Sequence, residues 1–292
     1  MTNSKSTEQK VSLLGTGLMG APMARRLYSL GYDVTVWNRS ADKVVPLQQE
    51  GIGATATAPA AIQASPITLT MLSDAEAIRA TVLAQRALLE GRTILQMGTI
   101  APDESRELQR AVESAGGAYF ESPVLGSIPQ AKGGSLILMV GATSEQYEKW
   151  QPLLKAFGPN PQLIGPVGTA AATKLAMNQL IGTLTSAFSM SLALAQREGL
   201  DIEKFMTVLK ESALYAPTFD KKLARMCDRN FSNPNFPTKH LLKDMELFAQ
   251  AAQAKGIDAT VAKGVSQMAK QAIAQGLADD DYSAIYSAIN PE

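Results

Sequence analysis

Three glycines, Gly15, Gly17 and Gly20, follow the apolar run Val11-Ser12-Leu13-Leu14 and open directly into a helical pattern. No other feature constrains the fold as tightly, because each glycine has its own steric task. Gly15 permits a tight turn after the strand, and Gly17 lets the backbone approach a pyrophosphate. Gly20 lets the helix pack close to the strand, while the N–H groups at the helix start face phosphate oxygens. Leu18 and Met19 lie inside this turn and count with the glycines as cofactor contacts. Met19 and Met23 are both candidate cofactor contacts, though methionine at helical spacing is usually core. A second strand, Asp33-Val34-Thr35-Val36-Trp37, ends in Asn38-Arg39-Ser40, with Lys43 close behind. In NAD-binding turns an acidic residue about 20 positions beyond the glycines takes the ribose 2′-hydroxyl. Here Arg39 stands in that region, and a guanidinium matches a 2′-phosphate, so the expected cofactor is NADP(H).

The 292 residues carry 27 basic and 27 acidic side chains, a formal net charge of zero. That balance argues against nucleic acid or an anionic membrane as a partner. One cysteine, Cys227, excludes an internal disulfide and suits a reducing compartment, so a cytoplasmic location is expected. Its expected state is a buried or inert thiol, with no base in its own segment. One histidine, His240, cannot furnish a histidine-rich metal site, so none is expected, and it is expected to serve structure. The first ten residues are polar and predict no signal peptide. From Leu175 to Gln196 the chain has no formal charge and is long enough to span a bilayer. Its many polar residues, among them Asn178, Thr185, Ser186 and Ser189, oppose insertion and predict a long helix buried between protein masses.

Apolar strands at 11–14, 33–37, 67–71, 93–97, 118–121 and 135–140 alternate with helical stretches up to Gly168. Such alternation predicts a doubly wound parallel sheet, with an antiparallel addition at its end. After Gly165-Pro166-Val167-Gly168 the pattern is helical only, at 169–198, 201–212, 216–228, 238–255, 258–276 and 281–289. The expected fold class is therefore α/β, a doubly wound (Rossmann) domain over 1–168 followed by an all-α domain over 169–292. Asp279-Asp280-Asp281 reads as a solvated helix start.

Lys174 and Asn178 lie one helical turn apart at the start of the helix that carries the uncharged stretch and so share a face. A helix leaving a nucleotide domain can face the strand edge where a nicotinamide lies. A lysine exposed at the first turn beside a neutral asparagine is the alternative.

Four ordered motifs together carry a family resemblance over about residues 10 to 290. They are Gly15-x-Gly17-x-Met19-Gly20-x-x-Met23-Ala24 with Asn38-Arg39-Ser40; Glu121-Ser122-Pro123-Val124-x-Gly126; Gly168 with Lys174-x-x-x-Asn178; and Phe236-x-x-Lys239-His240-x-x-Lys243-Asp244 with Asp281-Tyr282-Ser283-Ala284. This set resembles the β-hydroxyacid dehydrogenases, and its last motif resembles their glyoxylate and succinic semialdehyde reductase branch.

The resemblance implies an NADPH-dependent reductase that turns small aldehyde acids into hydroxy acids. In that role Lys174 is the general acid and Asn178 positions the carbonyl oxygen or the lysine. Thr99 matches a threonine near the nicotinamide ribose and substrate. Met71 and Leu72 match cofactor-lining positions, and Lys243 matches a cofactor-contacting lysine. Phe236 and Asp244 match residues that close the active site. Leu125 departs from the family's usual serine in the substrate loop, so carboxylate anchoring falls to the N–H groups of Gly126 and Ser127 or to Ser122. Gly98 also replaces a usual serine. Lys132 reads as a solvated loop lysine rather than a carboxylate partner. An imine reductase shares the two-domain plan but usually has Asp or Tyr in place of Lys174. A non-catalytic cofactor-binding scaffold is a further alternative, which retention of Lys174 disfavours. A homodimer or homotetramer through the C-terminal helices is expected.

Overall fold

The computed structural model describes residues 10–291, so the polar stretch 1–9 and its leader reading lie largely outside it. The chain divides into two compact units, one ending at Lys174 and the other beginning at Leu175.

In the first unit strands and helices alternate: β1 (Lys10–Leu14), α1 (Gly20–Ser29), β2 (Asp33–Trp37), α2 (Val45–Gln49), β3 (Gly53–Ala54), α3 (Ala58–Ala64), β4 (Ile67–Thr70), α4 (Ala75–Thr81), β5 (Thr93–Gln96) and α5 (Pro102–Glu113). Then come β6 (Ala118–Glu121), β7 (Val124–Leu125), α6 (Ile128–Gly133), β8 (Ile137–Gly141), α7 (Ser144–Lys155) and β9 (Gln162–Gly165). The sheet runs β3-β2-β1-β4-β5-β6-β8-β7, with β9 paired to β8. From β3 to β6 all pairs are parallel, and β8 meets both β6 and β7 antiparallel.

Alternate residues of each strand enter different cores, because side chains of a strand point to opposite faces in turn. Leu13, Leu95 and Phe120 join one apolar cluster, with Met23 and Leu27 of α1. Leu14, Ile94 and Tyr119 join the other, with Ile62 of α3 and Ile78 of α4. Both faces are thus covered, as a parallel sheet requires. The strand order reverses between β1 and β4, and the carboxyl ends there form the ligand crevice of such sheets. Caps set several helix starts: Asp74 accepts the Ala77 N–H at 2.7 Å, and Glu104 reaches back to the Ala101 N–H at 2.8 Å.

The remaining elements are helical: α8 (Thr169–Arg197), within which the division between units falls, α9 (Ile202–Glu211), α10 (Pro217–Cys227), α11 (Thr238–Gln253), α12 (Thr260–Ala274) and α13 (Ile285–Ile289). Phe188 of α8 stacks on Phe219 of α10 at 4.6 Å between ring centroids. Leu241 and Met245 of α11 pack with Val265 and Ala269 of α12. Two buried serines of α8 are satisfied along the helix: Ser186 donates to the Gly182 carbonyl at 2.9 Å and Ser189 to that of Thr185 at 2.7 Å.

Three expectations are corrected. The helix α8 is not buried along its whole length, since Leu180 is 50% and Leu194 64% exposed. Of the two states expected for Cys227, buried or inert, the first is overturned: the residue is exposed, with its thiol pushed up by desolvation and by Asp228. Asp281 is fully buried, not solvated, because it takes the Lys222 ammonium at 2.7 Å and the Ser283 N–H at 3.1 Å. Among the described residues no helix is long and apolar enough to cross a membrane.

Candidate active site

The glycine turn lies at the reversal point of the sheet. Gly15 takes φ +99°, and a Cβ there would fall 2.3 Å from the Met71 carbonyl oxygen. A Cβ on Gly20 would fall 1.8 Å from the Gly15 carbonyl oxygen, so strand, turn and helix close on one another without room for a methyl. Gly17 differs: a Cβ there meets nothing within 4 Å, and the residue is exposed. Its backbone is the open side of the turn. The first turn of α1 has neither a side-chain cap nor an acidic residue, so its N–H groups are suited to an anion. Leu18 is exposed and Met19 half-buried, while Met23 is core. This cradle fits the pyrophosphate of a dinucleotide.

The end of β2 is tied to that turn. The Asn38 side chain accepts the Thr16 N–H at 3.0 Å and donates to the Ser40 carbonyl at 3.1 Å. The Thr16 hydroxyl donates to the Lys43 carbonyl at 3.2 Å. Arg39, Ser40 and Lys43 are held exposed beside the glycines. Asn38 therefore shapes the turn through its side chain.

At the neighbouring strand ends, the Met71 N–H donates to the Leu14 carbonyl at 2.8 Å. Met71, Leu72 and Thr99 are all half-buried. Gln96, which belongs to none of the family motifs, is buried and grips the backbone before Thr99. It accepts the Gly98 N–H at 2.6 Å and donates to the Gly98 carbonyl at 3.0 Å. A Cβ on Gly98 would stand 2.7 Å from the Leu72 carbonyl oxygen, which explains the departure from serine. A polar residue closing the apolar run Thr93-Ile94-Leu95 was the available signal.

The loop 122–127 follows β6. Ser122 is fully buried and its hydroxyl has no partner among the described residues. Leu125 is half-buried and pairs with Ile137 across β7 and β8. Gly126 takes φ +132°, and a Cβ would strike Leu136 at 2.7 Å. The Ser127 N–H and hydroxyl both donate to Gln130 Oε1, at 3.0 and 2.7 Å. Lys132 is exposed.

On α8, Lys174 is half-buried and Asn178 fully buried. The Asn178 amide donates to Asp244 Oδ2 at 2.6 Å, which fixes that amide's orientation because a carboxylate only accepts. Lys243 Nζ stands 3.3 Å from the other oxygen, Asp244 Oδ1. The structure thus brings Asn178 to the adjacent pair Lys243 and Asp244, the latter 66 residues beyond it in sequence. It also zips together the last two motifs: the Tyr282 N–H donates to the Phe236 carbonyl at 2.9 Å, and their rings meet edge to face at 5.5 Å. His240 packs near Phe236 and is held below its ordinary range by burial first and by Lys243 next.

A dinucleotide cradle with ordered polar side chains on α8 and α11 defines an NAD(P)-dependent oxidoreductase. Residues 10–165 match the model of the NAD binding domain of 6-phosphogluconate dehydrogenase. Residues 168–289 match the model described as NAD-binding of NADP-dependent 3-hydroxyisobutyrate dehydrogenase. The chain is 31% identical to glyoxylate/succinic semialdehyde reductase 1 of Arabidopsis thaliana, over 96% of this chain and 98% of that protein. It is 31% identical to the chloroplastic reductase 2 of the same plant, over 96% of this chain and 79% of that protein. In fold it is similar to the 3-hydroxyisobutyrate dehydrogenase of Mycobacterium tuberculosis, with a TM-score of 0.86 at 23% identity, covering 96% of this chain and 98% of that one. The chain belongs to the β-hydroxyacid dehydrogenase family.

Proposed function

We propose that this protein reduces small aldehyde acids to hydroxy acids with NADPH, with succinic semialdehyde and glyoxylate as the leading substrates. The observation that carries the reading is the pair Lys174 and Asn178 on α8, one turn apart, with the Asn178 amide locked by the buried Asp244. The family relation adds the substrate class by similarity to the two plant reductases.

NADPH, when bound, supplies hydride to the carbonyl carbon. The Lys174 ammonium donates its proton to the carbonyl oxygen, where an adjacent positive charge also stabilises the developing alkoxide. Asn178 holds its amide in one orientation and offers Oδ1 to the lysine or the substrate oxygen. By the family resemblance, Phe236 and Asp244 are the residues that close on substrate and Lys243 contacts the cofactor, while Thr99 matches the threonine near the nicotinamide ribose and substrate. The exposed Arg39, with Ser40 and Lys43, selects the 2′-phosphate. The protein acts in the cytoplasm in this reading. It assembles as a homodimer or homotetramer through helices that include the exposed apolar residues Met177, Leu180, Leu184 and Leu194 of α8.

Leu125 makes one wall of the substrate loop apolar, and the polar groups of Ser127 are spent on Gln130. Each methylene buried contributes about 0.8 kcal/mol. Losing a hydrogen bond to a charged group costs about 1.5–3 kcal/mol. Both effects favour succinic semialdehyde over glyoxylate. Following NADPH absorbance with both aldehydes tests this: kcat/KM is expected to be higher for succinic semialdehyde, and Leu125→Ser to narrow the gap. No turnover of any aldehyde acid, or a clear preference for glyoxylate, refutes the substrate assignment.

A further inference from the structure

A buried carboxylate that takes no part in this chemistry joins the substrate loop to the helix that carries Lys174. Glu121 ends β6 and is 1% exposed. Its Oε1 accepts the Gly168 N–H at 2.8 Å and the Ala171 N–H at 3.0 Å. Its Oε2 accepts the Ser105 hydroxyl from α5, whose oxygen also lies 2.9 Å from the Tyr119 hydroxyl. An unpaired carboxylate in such a place would cost several kcal/mol; here both oxygens have donors from two different helices.

The position of those donors matters. Gly168 and Ala171 flank the first turn of α8, whose opening N–H groups have no partner within the helix. That first turn contains no acidic residue of its own, so the cap comes from a residue 47 positions before Gly168. Lys174 follows Ala171 by less than one turn of helix. Room for the carboxylate is built in, since a Cβ on Gly141 of β8 would fall 2.5 Å from Glu121 Oε1. Glu121 is also the residue that leads directly into the substrate loop. The backbone beyond it is pinned by the Ser122 N–H donating to Gln96 at 2.7 Å and by Pro123 accepting from the Met139 N–H at 3.1 Å.

We propose that Glu121 is a positioning residue, which sets the axial place and rotation of the start of α8, and so of Lys174, against the loop 122–127. The inference rests on Lys174 being the general acid. What the arrangement needs is the length of the Glu121 side chain and an acceptor oxygen at its end. A carboxamide of equal length retains that oxygen, while a carboxylate one methylene shorter cannot span to Gly168 and Ala171 without moving the helix.

The test compares Glu121→Asp, Glu121→Gln and Lys174→Ala, with succinic semialdehyde as substrate and NADPH affinity titrated for each. Turnover is expressed per NADPH-binding site, so that misfolded protein is not counted. Glu121→Asp is expected to lower kcat at least about tenfold, within the roughly hundredfold that a misplacement of about 1 Å can cost in a preorganised site, with NADPH Kd within about threefold of wild type. Glu121→Gln is expected to recover most of that loss. The reverse order, equal losses, or kcat within threefold of wild type for the aspartate variant would overturn the inference. A Lys174→Ala variant with normal turnover would instead remove the catalytic reading on which it depends.

Discussion

The glycine turn and the α8–α11 cluster solve opposite steric problems. At Gly15 and Gly20 the backbone is packed against backbone, and an added methyl has nowhere to go. At Asn178, Lys243 and Asp244 the work is done by side chains that meet across 66 residues of sequence, and removing an atom undoes it. One region cannot gain a carbon, and the other cannot lose a polar group. The first accordingly writes itself into the sequence as a fixed local spacing. The members of the second can be named from family motifs, but the bond between them shows only once the helices are placed.

That comparison can be broken first at Gly20. Overpacking costs about 1–3 kcal/mol. Relieving that overlap moves the turn whose N–H groups face the phosphates, so if the strain is carried there Gly20→Ala is expected to weaken NADPH binding about fivefold to a hundredfold, since 1.4 kcal/mol is tenfold. Fluorescence titration of NADPH measures it. Unchanged affinity would mean that the turn has slack which the contact distances deny.

Arg39 sharpens the contrast, because it is an exposed side chain beside a backbone cradle. A charge-assisted contact is worth about 1.5–3 kcal/mol, so Arg39→Asp should shift preference toward NADH by at least about tenfold in kcat/KM. A wild-type protein that already prefers NADH contradicts the assignment.

The smallest effect belongs to His240. Burial holds its folded-state value below the ordinary one, with Lys243 and Lys239 acting in the same direction and Asp244 and Asp279 opposing. Below about pH 6.5 the unfolded chain takes up the proton first. Stability is thus present above that pH and is lost as pH falls through the folded value, with a slope of at most one proton. Denaturant melts from pH 7 down to pH 5 should show this slope in the wild type and lose it in His240→Gln. Equal slopes in the two proteins would place the titration elsewhere.

How much could be read from residues alone follows the same division. The strand–turn–helix at 11–29 was legible because Gly15 and Gly20 leave few other solutions, and the strands at 33–37, 93–96 and 118–121 because each has β-branched or aromatic residues bounded by turn residues. β3 and β7 have only two residues each, and β9 is mostly exposed, so none carries an apolar run to read. Asp281 looked solvated within three consecutive aspartates, because its partner Lys222 lies 59 residues away. Gln96 has no role in the motifs, and Glu121 stands in one without a role of its own, for a related reason. Each serves the backbone of a distant segment, Gln96 at the turn before Thr99 and Glu121 at the start of α8. The family motifs supplied Lys174, Asn178 and Asp244 by position, and the structure adds the hydrogen bond that links the last two.

The central claim is that α8 carries the proton donor of the reaction, and Lys174→Ala tests it most directly. Turnover of succinic semialdehyde is followed by loss of NADPH absorbance, alongside titration of NADPH binding. General acid catalysis contributes about 10²–10⁴-fold, so kcat is expected to fall at least about a hundredfold while NADPH affinity stays within about threefold. Near-normal turnover by the alanine variant, with NADPH bound as tightly as before, would contradict the account.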